Sequence, residues 1–146
     1  MKLRLILIGK MRRAECRALL ADYLARIEHY CEVEVTELRD AAALASPAAQ
    51  RRLKLDAATL VLLDAAGKQL TSAQFAKWLA ERRSRGTREI TFLCGDDEGF
   101  PDDWRNKAQT KLSLSAMTLP HELARVVLAE QLYRAFSILA GHPYHK

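Results

Sequence analysis

Thr59-Leu-Val-Leu-Leu63, followed at once by Asp64, is an unbroken apolar run stopped by a carboxylate, the pattern of a strand buried on both faces and ending at a loop. Strands of this kind belong to parallel sheets covered by helices, and the flanking sequence alternates accordingly. Upstream, Met1 to Ile8 is rich in Leu and Ile and stops at Gly9, which predicts a strand and a turn. Arg12 to Tyr30 then carries Leu19, Leu20, Tyr23, Leu24 and Ile27 at helical steps. Val33 to Leu38 alternates apolar residues with Glu34 and Glu37, a further strand. The Ala-rich stretch from Ala41 to Ala49 fits helix or loop equally, and a basic segment with Arg51, Arg52 and Lys54 follows it.

Downstream, Thr71-Ser-Ala-Gln74 has the form of a capping box ahead of Phe75, Trp78 and Leu79 on one helix face. Arg88 to Cys94 reads as a strand ending at Gly95, and Leu112 to Ser115 as a shorter one. The longest helix is expected from Pro120 to Leu139, with proline in the first turn, where its missing donor does no harm. The class is α/β with a mostly parallel sheet, so ligands are expected at the carboxyl ends of strands. That directs attention to Asp64–Lys68, Gly95–Trp104 and Ala116–His121.

The 146 residues suit one domain, residues 1–146, with a core that needs no disulfides. Hydrophobic residues make up 49% and charged residues 28%, which excludes a disordered or low-complexity chain. The net charge of +5 fits a polyanionic partner. Cys16, Cys31 and Cys94 are odd in number and widely spaced, as expected of free thiols in a reducing cytoplasm. No apolar run approaches the ~20 residues that span a bilayer, and Lys2 and Arg4 interrupt the first residues, so a cytoplasmic protein is expected.

Asp64 is no phosphoacceptor of the receiver type, because the first strand ends in Ile8-Gly9-Lys10 and lacks the acidic pair that holds Mg²⁺. Gly95-Asp-Asp-Glu-Gly99 is bracketed by glycines but too acidic for a phosphate cradle. His142 and His145 form an HxxH pair without a third ligand at a recognised spacing, so no metal is expected. The run Lys77, Arg82, Arg83, Arg85, Arg88 could follow a nucleic-acid backbone or form a solvated helix face. On the last helix, His121, Glu122 and Arg125 fall on one side and Glu130, Arg134 and Ser137 nearly opposite. This change of side suggests a helix that passes from its own core to a partner, hence a dimer, the alternative being a helix deeply sandwiched within a monomer.

Leu63-Asp-Ala-Ala-Gly-Lys68, Ser72-Ala-Gln-Phe75, Leu93-Cys-Gly-Asp-Asp-Glu-Gly99, Leu112-Ser-Leu-Ser-Ala-Met-Thr-Leu-Pro-His121, Arg125, Glu130-Gln-Leu-Tyr-Arg-Ala135 and His142-Pro-Tyr-His145, taken in order, resemble the RlmH family. These are SPOUT-class methyltransferases of large-subunit ribosomal RNA, and the resemblance spans the chain. It implies a Rossmann-like α/β domain with a C-terminal trefoil knot, a rare exception to the rule against knots, and a homodimer. It further implies S-adenosyl-L-methionine as cofactor and N3 of a pseudouridine in 23S ribosomal RNA as acceptor, in the stem-loop at the subunit interface of an assembled ribosome.

Carried over residue by residue, the resemblance assigns the cofactor to Leu63, Gly95, Leu114, Ser115, Ala116, Met117, Thr118 and Leu119. The acceptor side falls to Glu130, Arg134, Tyr144 and His145, contributed across the dimer interface. A methyl sulfonium is already activated, so the site must align the acceptor nitrogen and manage one imide proton. His145 is the expected base, directly or through water, with Arg134 stabilising anionic charge and Glu130 orienting Arg134. Alternatively, Glu130 and Arg134 only tie two subunits together. The chain departs from the family's usual pattern at Asp96, where a second glycine is usual, and at Lys146, where Arg is usual. Those departures motivate the competing reading, a non-catalytic ribosome-binding or assembly module on the same fold.

Overall fold

A computed structural model describes residues Met1–Lys146. Five strands form one sheet in the order β2-β1-β4-β3-β5, all neighbours parallel: β1 (Lys2–Ile8), β2 (Glu32–Leu38), β3 (Leu60–Gln69), β4 (Glu89–Cys94) and β5 (Thr110–Ser113). The helices are α1 (Ala14–Ile27), α2 (Pro47–Arg52), α3 (Ser72–Ser84), α4 (Asp102–Lys107) and α5 (His121–Leu139). No helix is long and apolar enough to cross a membrane.

The two-residue period of β1 divides the core. Leu3, Leu5 and Leu7 join Val61, Ile90 and Phe92 against α1, α3 and α5. Ile6 and Ile8 join Leu60, Leu62 and Leu93 on the other face, where Leu44, Leu53, Phe100 and Trp104 cover them. Both faces are therefore buried, as the apolar run at Thr59–Leu63 requires. The capping box of α3 forms as expected, Thr71 Oγ1 accepting from Gln74 N–H and Gln74 Oε1 accepting from Thr71 N–H. The Ala-rich stretch resolves into a 3-10 turn, Ala41–Leu44, and then α2.

Four boundaries differ from expectation. The helix expected over Arg12–Tyr30 is shorter at both ends. β3 does not stop at Asp64: Leu63 and Lys68 both align with Leu112 of β5, so the intervening residues bulge out and the strand resumes. At the bulge a Cβ on Gly67 would lie 2.7 Å from the Lys111 carbonyl, an approach open only to glycine. β5 begins and ends two residues earlier than expected, and the loop after Gly95 contains α4, held by buried Trp104.

The polar stripe of α5 is satisfied differently from what its wheel suggested. Glu122, Arg125 and Ser137 are all buried inside this chain. Glu122 Oε1 accepts from the backbone N–H groups of Arg12 and Arg13, at 2.7 and 2.9 Å, at the start of α1, whose N-cap Arg13 makes no side-chain cap of its own. The Ser137 hydroxyl donates to the Tyr133 carbonyl. The change of side is thus accommodated within the chain and is no argument for a partner.

Candidate active site

The carboxyl ends of β3, β4 and β5 and the start of α5 enclose a cavity of about 500 Å³, within the usual range for small-molecule sites. Of the eight residues expected to hold the cofactor, Leu63, Gly95, Leu114, Ser115, Met117, Thr118 and Leu119 line it, whereas Ala116 does not and is exposed. Met117 stands 78% exposed at the rim, an apolar side chain left open to a ligand.

Gly95 sets the shape of one wall. A Cβ there would come within 2.9 Å of the Gly99 carbonyl oxygen, because the chain folds back through a tight turn in which Gly99 N–H donates to the Asp96 carbonyl. Asp96, the departure from the family pattern, spends a carboxylate oxygen inside this turn, accepting from Glu98 N–H at 2.9 Å. Asp97 reaches His121 Nδ1 at 2.5 Å and Asp64 pairs with Arg105 at 3.3 Å, so both links tie cavity-lining loops to helices. Ser115 Oγ accepts from Met117 N–H and shapes the turn before α5. The fit to an adenosyl group is good, since apolar Leu63, Leu114 and Leu119 line the cavity.

Behind the cavity, the fully buried Arg125 donates to the carbonyls of Ile8, Gly9 and Gly95, at 2.5, 2.9 and 3.2 Å. Burial pushes its pKa down, opposed mainly by Cys94 and Glu122. Burial likewise lifts the Cys94 thiol to about 12, so this cavity-lining cysteine is no nucleophile at neutral pH. The three cysteines are free thiols.

Glu130, Arg134 and Tyr144 come together elsewhere. Glu130 Oε1 accepts from Arg134 Nε and Nη2, at 2.9 and 2.5 Å, the i,i+4 pair expected. This bond is the first cause of the raised Arg134 pKa, so the group stays cationic. The Tyr144 hydroxyl donates to the same carboxylate oxygen at 3.2 Å and stands 3.4 Å from the Tyr23 hydroxyl. Burial, reinforced by Tyr23 and Glu130, holds the Tyr144 phenol well above its ordinary value, so it acts as a donor and not a base. Its ring packs edge-on to Tyr133 at 4.5 Å, and the Arg134 guanidinium lies 5.1 Å from its centroid.

The tail is a capped 3-10 turn, Pro143–His145, with His142 Nδ1 accepting from Tyr144 N–H. His145 Nδ1 lies 2.6 Å from the His142 carbonyl, which can only accept. Nδ1 therefore carries the proton, and the exposed ring presents Nε2 to its surroundings. No cluster of three His, Cys, Asp or Glu side chains is placed to hold a metal ion.

The sequence does not show Arg125, Glu122 and the Asp97–His121 link as a unit. The available signal was a guanidinium set among Ala124, Val126 and Val127, where a solvated arginine would be out of place. The cavity and the Glu130–Arg134–Tyr144 group are separated along α5: Ala124 lines the cavity, and Arg134 is ten residues further on, roughly 15 Å at the helical rise.

A parallel α/β sheet with a glycine-walled cavity at its strand ends, closed by the loop before its last helix, has the architecture of an α/β small-molecule-binding domain. The family model described as "Predicted SPOUT methyltransferase" matches residues 1–145. The protein named ribosomal RNA large subunit methyltransferase H from Koribacter versatilis is 41% identical over 145 residues, covering 99% of this chain and 98% of its own. Among solved structures, the SpoU methyltransferase AviRb from Streptomyces viridochromogenes superimposes with a TM-score of 0.54 at 13% identity, over 96% of this chain and 61% of its own. A Legionella pneumophila methyltransferase solved with bound SAM reaches 0.50 at 16% identity, over 92% and 66%. The chain belongs to the SPOUT methyltransferase family, among relatives named ribosomal RNA large subunit methyltransferase H.

Proposed function

We propose that the chain transfers the methyl group of S-adenosyl-L-methionine to N3 of a pseudouridine in 23S ribosomal RNA, in the stem-loop at the subunit interface, with the assembled ribosome as substrate and the cytoplasm as its setting. The observation that carries this reading is the cavity where Leu63, Gly95 and the 114–119 segment converge. When bound, the cofactor supplies a methyl group already activated by its sulfonium. The chain's own residues have only to bind, orient and handle one proton.

Leu63, Leu114 and Leu119 hold the apolar part of the adenosyl group, and the backbone around Gly95 meets its polar edges. At the acceptor, Glu130 holds the Arg134 guanidinium, whose charge stabilises the anion that forms as N3 loses its proton. Tyr144 fixes Glu130 as a neutral donor. His145 takes the imide proton on Nε2, directly or through one water.

The separation of cavity and acceptor group along α5 gives this mechanism its quaternary form. Residues roughly 15 Å apart on one rigid helix do not meet at a single methyl group, so the chain works as a homodimer. Glu130, Arg134, Tyr144 and His145 of one subunit face the cavity of the other. The whole chain acts as one such domain, its C-terminal part threaded through a trefoil knot.

Mixing two variants tests this arrangement. Gly95→Asp, which fills the cavity wall, and His145→Ala are each expected to be inactive as homodimers. After co-refolding, mixed dimers regain methyl transfer, because one of their two sites is intact. Mixed dimers without activity would place both sets of residues in one chain and overturn the arrangement.

A further inference from the structure

The basic run beginning at Lys77 has no part in methyl transfer as described, yet it borders a second cavity of about 500 Å³. This one lies between α3, the end of β3 and the start of β5, along the outer edge of the sheet. Lys68, Lys77 and Lys111 line it, opposed by Glu81 alone. None of the three ammonium groups has a carboxylate within 4.0 Å. The lining therefore carries an excess of positive charge, three lysines against one glutamate.

A fourth cation stands against the wall. The Arg82 guanidinium sits 4.5 Å from the centroid of Trp78 and donates to Thr110 Oγ1 at 3.2 Å, so two lining residues hold it in place. It too lacks a carboxylate partner, and burial together with Arg85 pushes its pKa down. The remaining polar lining includes Gln69 and Gln109, whose amides can both donate and accept. Unpaired lysines follow a phosphate backbone, while amides suit the edges of unstacked bases.

We propose that this cavity is an RNA-docking groove, taking a single-stranded segment of the substrate RNA next to the stem-loop that is methylated. The inference rests on the ribosomal RNA methyltransferase reading and adds to it a second point of attachment, outside the cofactor cavity. The concave shape and the mixture of lysines and amides suit a nucleotide segment with a phosphate backbone and exposed base edges.

The test is fluorescence anisotropy of a fluorescein-labelled oligouridine RNA against the full chain, titrated at several salt concentrations. Lys68→Gln/Lys77→Gln changes two exposed residues and is compared with Arg51→Gln/Arg52→Gln, an equal charge change at the exposed end of α2. The groove variant is expected to lower RNA affinity about tenfold and to flatten the slope of log K against log salt by roughly 1.4, about 0.7 for each single-strand phosphate no longer neutralised. The α2 variant is expected to change neither by as much. Equal effects of the two pairs, or none from the groove pair, overturn the proposal. Calorimetric titration with S-adenosylmethionine separates the two readings. Failure of the unaltered chain to bind cofactor would count against the methyltransferase, whereas intact cofactor binding with an unchanged salt slope in the groove variant removes the groove alone.

Discussion

The guanidinium of Arg125 donates to the carbonyl oxygen of Gly95 at 3.2 Å, so the last helix directly holds the residue that opens the cofactor loop. The same group holds Ile8 and Gly9 at the end of β1. One buried side chain thus joins three segments remote in sequence.

Arg125→Leu keeps the bulk but leaves these carbonyls without their donor. Each buried polar group so orphaned costs about 1–3 kcal/mol, so the variant is expected to lose at least about 3 kcal/mol and to melt roughly 10 °C lower. Calorimetry checks this; an unchanged melting temperature would mean that water or relaxation replaces the guanidinium.

Glu122 gives a pH signature. Its carboxylate accepts from Arg13 N–H and Arg12 N–H, which holds its pKa below the ordinary glutamate value despite burial. A depressed folded-state pKa stabilises the fold above the ordinary glutamate range, and that stabilisation is lost as pH falls through the folded value. Glu122→Gln is therefore expected to lower the melting temperature at neutral pH and to converge with the unaltered chain in acid. Parallel curves across the whole range would contradict this role.

Gly95→Ala places a Cβ 2.9 Å from the Gly99 carbonyl, so the turn must shift. Overpacking of this kind costs about 1–3 kcal/mol, and S-adenosylmethionine affinity is expected to fall about tenfold or more. Titration calorimetry reads the loss, with circular dichroism to confirm that the sheet persists.

The order of strands and helices is legible because Leu5 to Ile8, Leu60 to Leu63 and Phe92 to Cys94 are apolar runs whose burial has few alternatives. The bulge in β3 is not, since Asp64 and Lys68 have the composition of a loop and only the pairing of Lys68 with Leu112 makes them strand. α4 is not legible in the sequence for a related reason: its six residues are mostly polar, and it is held by Trp104 entering the core on the Ile6 and Ile8 face of the sheet. At the site, periodicity located the loops at the strand ends, while the residue assignments came from resemblance. The wheel places Arg125 and Glu122 on a polar stripe without showing their burial, because their partners are backbone groups of remote segments, most of them over a hundred positions away, which no helical wheel displays.

His145→Ala removes the imidazole whose Nδ1–H is committed to the His142 carbonyl. General-base assistance is worth about 10²–10⁴ in rate, so single-turnover methyl transfer is expected to fall at least about a hundredfold while cofactor affinity is unchanged. An undiminished rate would remove His145 from the mechanism and leave charge stabilisation by Arg134 as the sole aid to deprotonation.

The most direct measurement is transfer of labelled methyl from S-adenosylmethionine to intact ribosomes lacking the modification, with the product mapped by mass spectrometry. Label on N3 of a pseudouridine in the large-subunit stem-loop at the subunit interface is the expected result. Ribosomes that bind the chain but gain no methyl group would contradict it and identify a non-catalytic binding module on a methyltransferase fold.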